Sequence, residues 1–161
     1  RDLAIGLLGE VEVRFSEVAG DFENFSRVSS PVATTNPTAW AGGDFDGDGD
    51  VDLAALENSL VVIAYNAGDG AFEDGPTMDV GGRLAGLAVA DLRGDGSADV
   101  IVTDVRNDLV QVILTVDGNF QAPVGSATGD DPRAVGVGDI DGDGVPEDDV
   151  LNRAAASLTL F

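Results

Sequence analysis

Three aspartate-rich clusters stand in register along this chain, and that register constrains the fold more than any other property. "DFDGDGDVD" starts at Asp44, "DLRGDGSAD" at Asp91 and "DIDGDGVPE" at Asp139. The resulting period of about 47 residues marks a propeller or solenoid, in which each copy is one supersecondary unit that buries its faces against its neighbours. The copying extends beyond the clusters. Phe25, Phe72 and Phe120 each precede the first aspartate of the next cluster by the same interval, and "NPTAWAGGD" (36–44) aligns with "DPRAVGVGD" (131–139). "DLAAL" from Asp52 and "DVIVT" from Asp99 align with "DLAIG" from Asp2, which makes Asp2 the last acidic position of a further loop. The expected organisation is one propeller segment over residues 1–161, with units at about 2–51, 52–98, 99–146 and a partial 147–161.

Each unit reads as strands. One precedes the cluster (38–44, 84–91, 133–139) and one follows it directly (52–56, 99–103). A third comes after that (59–65, 108–116, 157–161), and a fourth surrounds the repeat phenylalanine. Short runs of branched and small apolar residues between Gly/Asp/Asn turns suit strands, and no segment sustains a helical period. Four strands per unit is the blade of a β-propeller, so the expected fold class is all-β.

The clusters carry the chemistry. Carboxylates at loop positions 1, 3, 5 and 9, with glycines at 4 and 6, are what a hard cation with oxygen ligands requires: alternate side chains converge, glycine permits the turn, and the carbonyl of position 7 adds an oxygen. Calcium is the expected ion. The first loop offers Asp44, Asp46, Asp48 and Asp52 with the Asp50 carbonyl. The third offers Asp139, Asp141, Asp143 and Glu147 with the Val145 carbonyl. In the second, Arg93 replaces the third-position acid and leaves Asp91, Asp95, Asp99 and the Ser97 carbonyl, so weak binding or partial substitution of the ion by the arginine is expected. An EF-hand would need glutamate at position 12, where Ala55, Val102 and Val150 stand. Nonapeptide calcium rolls need a much shorter period, and three registered copies argue against mere solvated turns.

Composition removes other functions. With 30 acidic residues, eight arginines, no lysine and a net charge of −22, the chain has no basic patch for nucleic acid. Its longest apolar run, residues 60–65, is too short to cross a bilayer as a helix. The apolar fraction of 43% argues for a folded core. The acidic, lysine-free balance fits either a salt-loving source or a GC-rich genome. Histidine and cysteine are both absent, which removes the commonest general base, transition-metal ligand and thiol nucleophile. Enzymatic activity of the chain itself is therefore not expected, and the alternatives to a recognition propeller are a lectin-like propeller or the accessory propeller of a larger secreted enzyme. Trp40 and Tyr65, single residues of their kinds, could stack on a sugar, although Trp40 aligns with Leu87 and Val135 and reads better as core. Arg93-Gly94-Asp95 is an integrin-recognition tripeptide by letter, but Asp95 belongs to a loop. Asn24-Phe25-Ser26 is a glycosylation triplet.

"VDGNFQAPV" (116–124), "RAVGVGDIDGDGVPE" (133–147) and "LAVADLRGDGSADVIVTD" (87–104) resemble the FG-GAP repeat family, the calcium-binding blades of integrin alpha-subunit propellers and of many microbial surface proteins. The resemblance covers essentially the whole chain. It implies a propeller with a calcium loop joining the first two strands of each blade, an extracellular or cell-surface location, and a non-catalytic role in adhesion or recognition. A protein or glycan is the implied partner. Further blades are expected from the same precursor or from identical chains, since a closed ring needs roughly 190 to 380 residues. Arg93 departs from the pattern, and so do Asp148 and Asp149, which stand where the family carries apolar strand residues.

Overall fold

The computed structural model describes residues 3–7, 10–18, 21–31, 34–68, 71–139, 146–153 and 157–160, with side chains described for 34–68, 71–139, 146 and 150–153. Every regular element among them is a strand. In chain order these are β1 (Leu3–Leu7), β2 (Glu10–Val18), β3 (Asp21–Pro31), β4 (Ala39–Gly43), β5 (Asp52–Glu57), β6 (Leu60–Asn66), β7 (Phe72–Asp79) and β8 (Leu84–Ala90). They continue as β9 (Asp99–Asp104), β10 (Leu109–Ile113), β11 (Thr115–Val116), β12 (Asn119–Phe120), β13 (Val124–Ala127), β14 (Pro132–Gly138), β15 (Glu147–Asn152) and β16 (Ser157–Leu160). The strands form antiparallel sheets ordered β1-β2-β3, β4-β5-β6-β7, β8-β9-β10-β13 and β14-β15-β16, with a small β11-β12 hairpin.

The three acidic clusters close the same hairpin. Gly43 pairs with Asp52, Ala90 with Asp99 and Gly138 with Glu147, so each loop leaves its first strand and re-enters the second at one identical register. Glycine is required at loop positions 4 and 6, because the backbone there enters the left-handed region that side chains disfavour. Gly47 and Gly49 have φ of 82° and 93°. Gly94 and Gly96 have φ of 66° and 89°.

The sheets stack face to face, and their first strands β4, β8 and β14 lie side by side. This is the radial blade arrangement of a β-propeller. The core sits between blades. All six residues of β9 are buried, and their alternation serves two neighbours. Val100 and Val102 pack with Ala54, Leu56, Val61 and Ile63 of the preceding blade, whereas Ile101 packs with Val150 of the following one. Close approach of the inner strands depends on small residues. A Cβ placed on Gly43 would lie 2.5 Å from a Val89 methyl, and one on Gly86 would lie 3.0 Å from both the Ala134 Cα and the Val135 nitrogen.

Two expectations are refined. Phe120 does not lie in the fourth strand of its blade: β10 breaks at Leu114, an Asp117-Gly118 turn with positive φ (50° and 71°) makes the β11-β12 hairpin, and the outer strand is β13. Asp148 and Asp149 do not prevent β15, which pairs with both β14 and β16 and is anchored by the fully buried Val150. Asp2 lies outside the described residues.

A Cβ on Gly86 would also lie 2.9 Å from the Thr103 hydroxyl, and the Ala134 and Val135 main chain beside it cannot rotate away. Gly86→Ala is expected to lower stability by about 1 to 3 kcal/mol, read as a reduced urea midpoint.

Candidate metal centre

In the first loop the fold brings together Asp44, Asp46 and Asp48, each offering a carboxylate oxygen within 4.8 Å of the others. An ion bonded to oxygens at about 2.4 Å holds them at most about 5 Å apart, so the spread fits three ligands on one calcium-sized cation. The loop is shaped by its own carboxylates. Asp44 accepts hydrogen bonds from the Gly47 and Gly49 amides (2.7 and 2.9 Å), Asp46 accepts from Asp48 N (3.2 Å), and Asp48 accepts from Asp50 N (2.8 Å). Among the described residues no arginine pairs with Asp44, Asp46 or Asp48. The donor set is hard, anionic and paired with no arginine among the described residues.

Asp52 is placed differently from these three. It is fully buried, and its two oxygens accept from Phe45 N and Asn66 N, each at 2.8 Å, tying the loop to the end of β6. Burial, together with the nearby charges of Asp46 and Asp48, raises its pKa despite those two hydrogen bonds. Asp50 is half-buried.

The second loop repeats the scaffold with a different centre. Asp91 accepts from the amides of Arg93, Asp95 and Gly96 (3.3, 3.1 and 2.7 Å), and Asp95 accepts from Ser97 N (3.0 Å). Burial opposes ionisation of Asp91, but the amide bonds outweigh it and hold the carboxyl below the ordinary range. Asp99 is fully buried like Asp52 and accepts from Leu92 N (3.2 Å) and Thr115 N (2.7 Å). Arg93 turns into the loop: its Nη2 lies 2.7 Å from Asp95 and 3.8 Å from Asp99, and donates to the Thr115 carbonyl. The arginine thus supplies a positive charge from the position that Asp46 holds in the first loop. The charged groups of the Arg93-Gly94-Asp95 tripeptide engage each other.

Of the third loop, Asp139 lies exposed at the end of β14, and the backbone of Glu147 opens β15. Asp141, Asp143 and Val145 lie outside the described residues, as do the side chains of Glu147 and Asn24. Trp40 packs against Leu53, Ala64 and Phe72 as core. Tyr65 is half-buried against the main core cluster and lines a cleft of about 240 Å³ with Asp46, Asp48, Asn66 and Glu73.

A second set of polar residues escapes the motif pattern. Glu57, Asp104 and Asn152 each stand at one constant offset from the first aspartate of their loop, at the far end of the second strand. Glu57 accepts from the amide and hydroxyl of Thr35. Asp104, 1% exposed, accepts from the amides of Arg83, Arg106 and Asn107 (3.0, 2.9 and 3.3 Å) and from the Asn107 side chain (2.5 Å). In these two blades the acceptor clamps the chain entering the first strand. The constant offset is the available signal, obscured by three different residue types.

Stacked antiparallel blades with an acidic loop between first and second strands define the class: a β-propeller. The FG-GAP-like repeat model matches residues 44–102 and 91–147, and the chain belongs to that family. No curated protein sequence matches it. Among solved structures it is similar to a lectin of Agrocybe aegerita, described as specifically recognising non-reducing terminal N-acetylglucosamine, with a TM-score of 0.62 and 20% identity over 89% of this chain. The chain spans 41% of that lectin's length.

Asp104 also yields a pH signature. Burial alone would raise its pKa, but the four donors lower it from 3.8. A carboxyl depressed in the folded state contributes stability above its unfolded value and loses it as pH falls through the folded one. Asp104→Asn is expected to cost about 1 to 3 kcal/mol at neutral pH, with the gap from the parent narrowing below the unfolded value of 3.8 in urea titrations.

Proposed function

We propose that the chain is a calcium-binding segment of an extracellular propeller that serves adhesion or recognition and is not itself catalytic. The observation that carries this reading is the convergence of Asp44, Asp46 and Asp48 within 4.8 Å, with no arginine paired to them among the described residues. Bound calcium would offset their mutual repulsion and fasten the turn between β4 and β5. Its role is structural: a ligand held only by the folded state stabilises it by mass action. The contrast with the second loop supports the same reading, since there the side chain of Arg93 fills the need for positive charge.

A glycan-binding role is the second reading. The likeness to the Agrocybe aegerita lectin favours it, and a glycan array that includes terminal N-acetylglucosamine tests it.

With a dissociation constant of about 0.1 to 1 mM, typical of extracellular calcium modules, a hundredfold excess of calcium is expected to add about 2.7 kcal/mol of stability. EGTA should remove it. A melting temperature equal in calcium and EGTA would refute the reading. Asp46→Asn is expected to lower the calcium stoichiometry by one in titration calorimetry while leaving the EGTA melting temperature unchanged or slightly raised. Arg93→Asp is expected to do the reverse and add one calcium per chain.

A further inference from the structure

The strands β4, β8 and β14 all run toward their acidic loops, so their starts gather at the opposite end of the blades. There a cleft of about 360 Å³ is lined by Thr38, Asn58, Arg83, Leu84, Ala85 and Arg133. Its volume lies in the range of small-molecule sites. Its lining is anomalous for this chain: 30 acidic side chains stand against eight cationic ones, yet two arginines and no carboxylate line the cleft. Of the arginines with described side chains, only Arg93 belongs to an acidic loop; Arg83, Arg106, Arg133 and Arg153 lie at or beside the opposite strand ends.

The arginines there keep unmatched positive charge. Arg83 is exposed and makes no ion pair among the described residues. Arg133 lies 2.7 Å from Asp131, but Asp131 is shared with Arg153 at 3.8 Å, so one carboxylate faces two guanidinium groups. The Nε of Arg133 is buried and has no hydrogen-bond partner among the described residues. Of the other acids at this end, Glu57 accepts from Thr35, Asp108 accepts from the Asp131 amide, and Asp104 is committed to four donors. The remaining negative charge of the chain is screened beyond about 8 Å at physiological salt.

We propose that this cleft binds the carboxylate of an acidic sugar, a hexuronic acid residue, between Arg83 and Arg133. Guanidinium groups match a planar carboxylate in geometry and charge. The Thr38 hydroxyl and Asn58 amide suit ring hydroxyls, and Leu84 and Ala85 offer an apolar floor to the ring's carbon face. The inference rests on the glycan reading of the fold and is independent of the calcium loops.

The test is a titration of the isotope-labelled chain with D-glucuronate, N-acetylglucosamine and acetate, followed by amide chemical shifts. Glucuronate is expected to move the amides of Arg83, Leu84, Ala85 and Arg133 with a dissociation constant on the order of 1 mM, and Arg83→Gln, at an exposed position, to weaken it about tenfold. Acetate as effective as glucuronate would overturn the sugar, leaving simple ion pairing. Shifts unchanged in both Arg83→Gln and Arg133→Gln would overturn the site. N-acetylglucosamine equal to glucuronate at these amides would overturn the acidic preference and leave the glycan reading standing, whereas no response to either sugar here, with a blank glycan array, would overturn both.

Discussion

Crowded negative charge at the hairpin between the first and second strands is the constraint on which the rest of the structure turns. Asp44, Asp46 and Asp48 hold oxygens within 4.8 Å, an arrangement that like charges oppose. Part of the repulsion is met by main-chain amides, which the positive-φ glycines aim inward. The second loop keeps the glycines and the amide bonds but replaces one acid by Arg93, whose guanidinium reaches Asp95 and approaches Asp99. One scaffold thus appears with two electrostatic solutions in adjacent blades.

The buried ninth-position acids have a separate part in this. Asp52 and Asp99 each take two main-chain hydrogen bonds, one from the loop's second residue and one from the end of the third strand (Asn66) or just past it (Thr115). The loop is therefore fastened to the sheet from beneath by a carboxylate and shaped at its rim by others. At the other end of the same strand, Glu57 and Asp104 clamp the incoming chain, so in these two blades the second strand carries an acidic anchor at each end and buried, mainly apolar residues between.

Much of this is legible in the sequence because repetition states the same structural requirement several times. Spacing marks the blades, branched apolar runs mark β5, β6, β9 and β10, and glycine at fixed loop positions marks the turns. What is not legible depends on register across strands. Nothing in "DGDVD" says that Asp52 turns inward while Asp48 stays at the rim. The clamp is hidden because Glu57, Asp104 and Asn152 differ in type. Phe120 reads as part of an outer strand because a short hairpin interrupting β10 leaves little trace beyond Asp117-Gly118.

The first loop is also tied to the blade beyond it. The amide of Ala98, near the end of the second loop, donates to the carbonyl of Asp44 at 2.7 Å, and Phe45 packs against Phe120 with ring centroids 5.7 Å apart. In a linear array of repeats, stability is a sum of unit terms and nearest-neighbour terms. These two contacts place part of the neighbour term at the charged end of the blades rather than wholly in the apolar core. Loosening one loop therefore releases a hydrogen bond and an aromatic contact shared with the next blade, so the charged end of one unit is coupled to its neighbour.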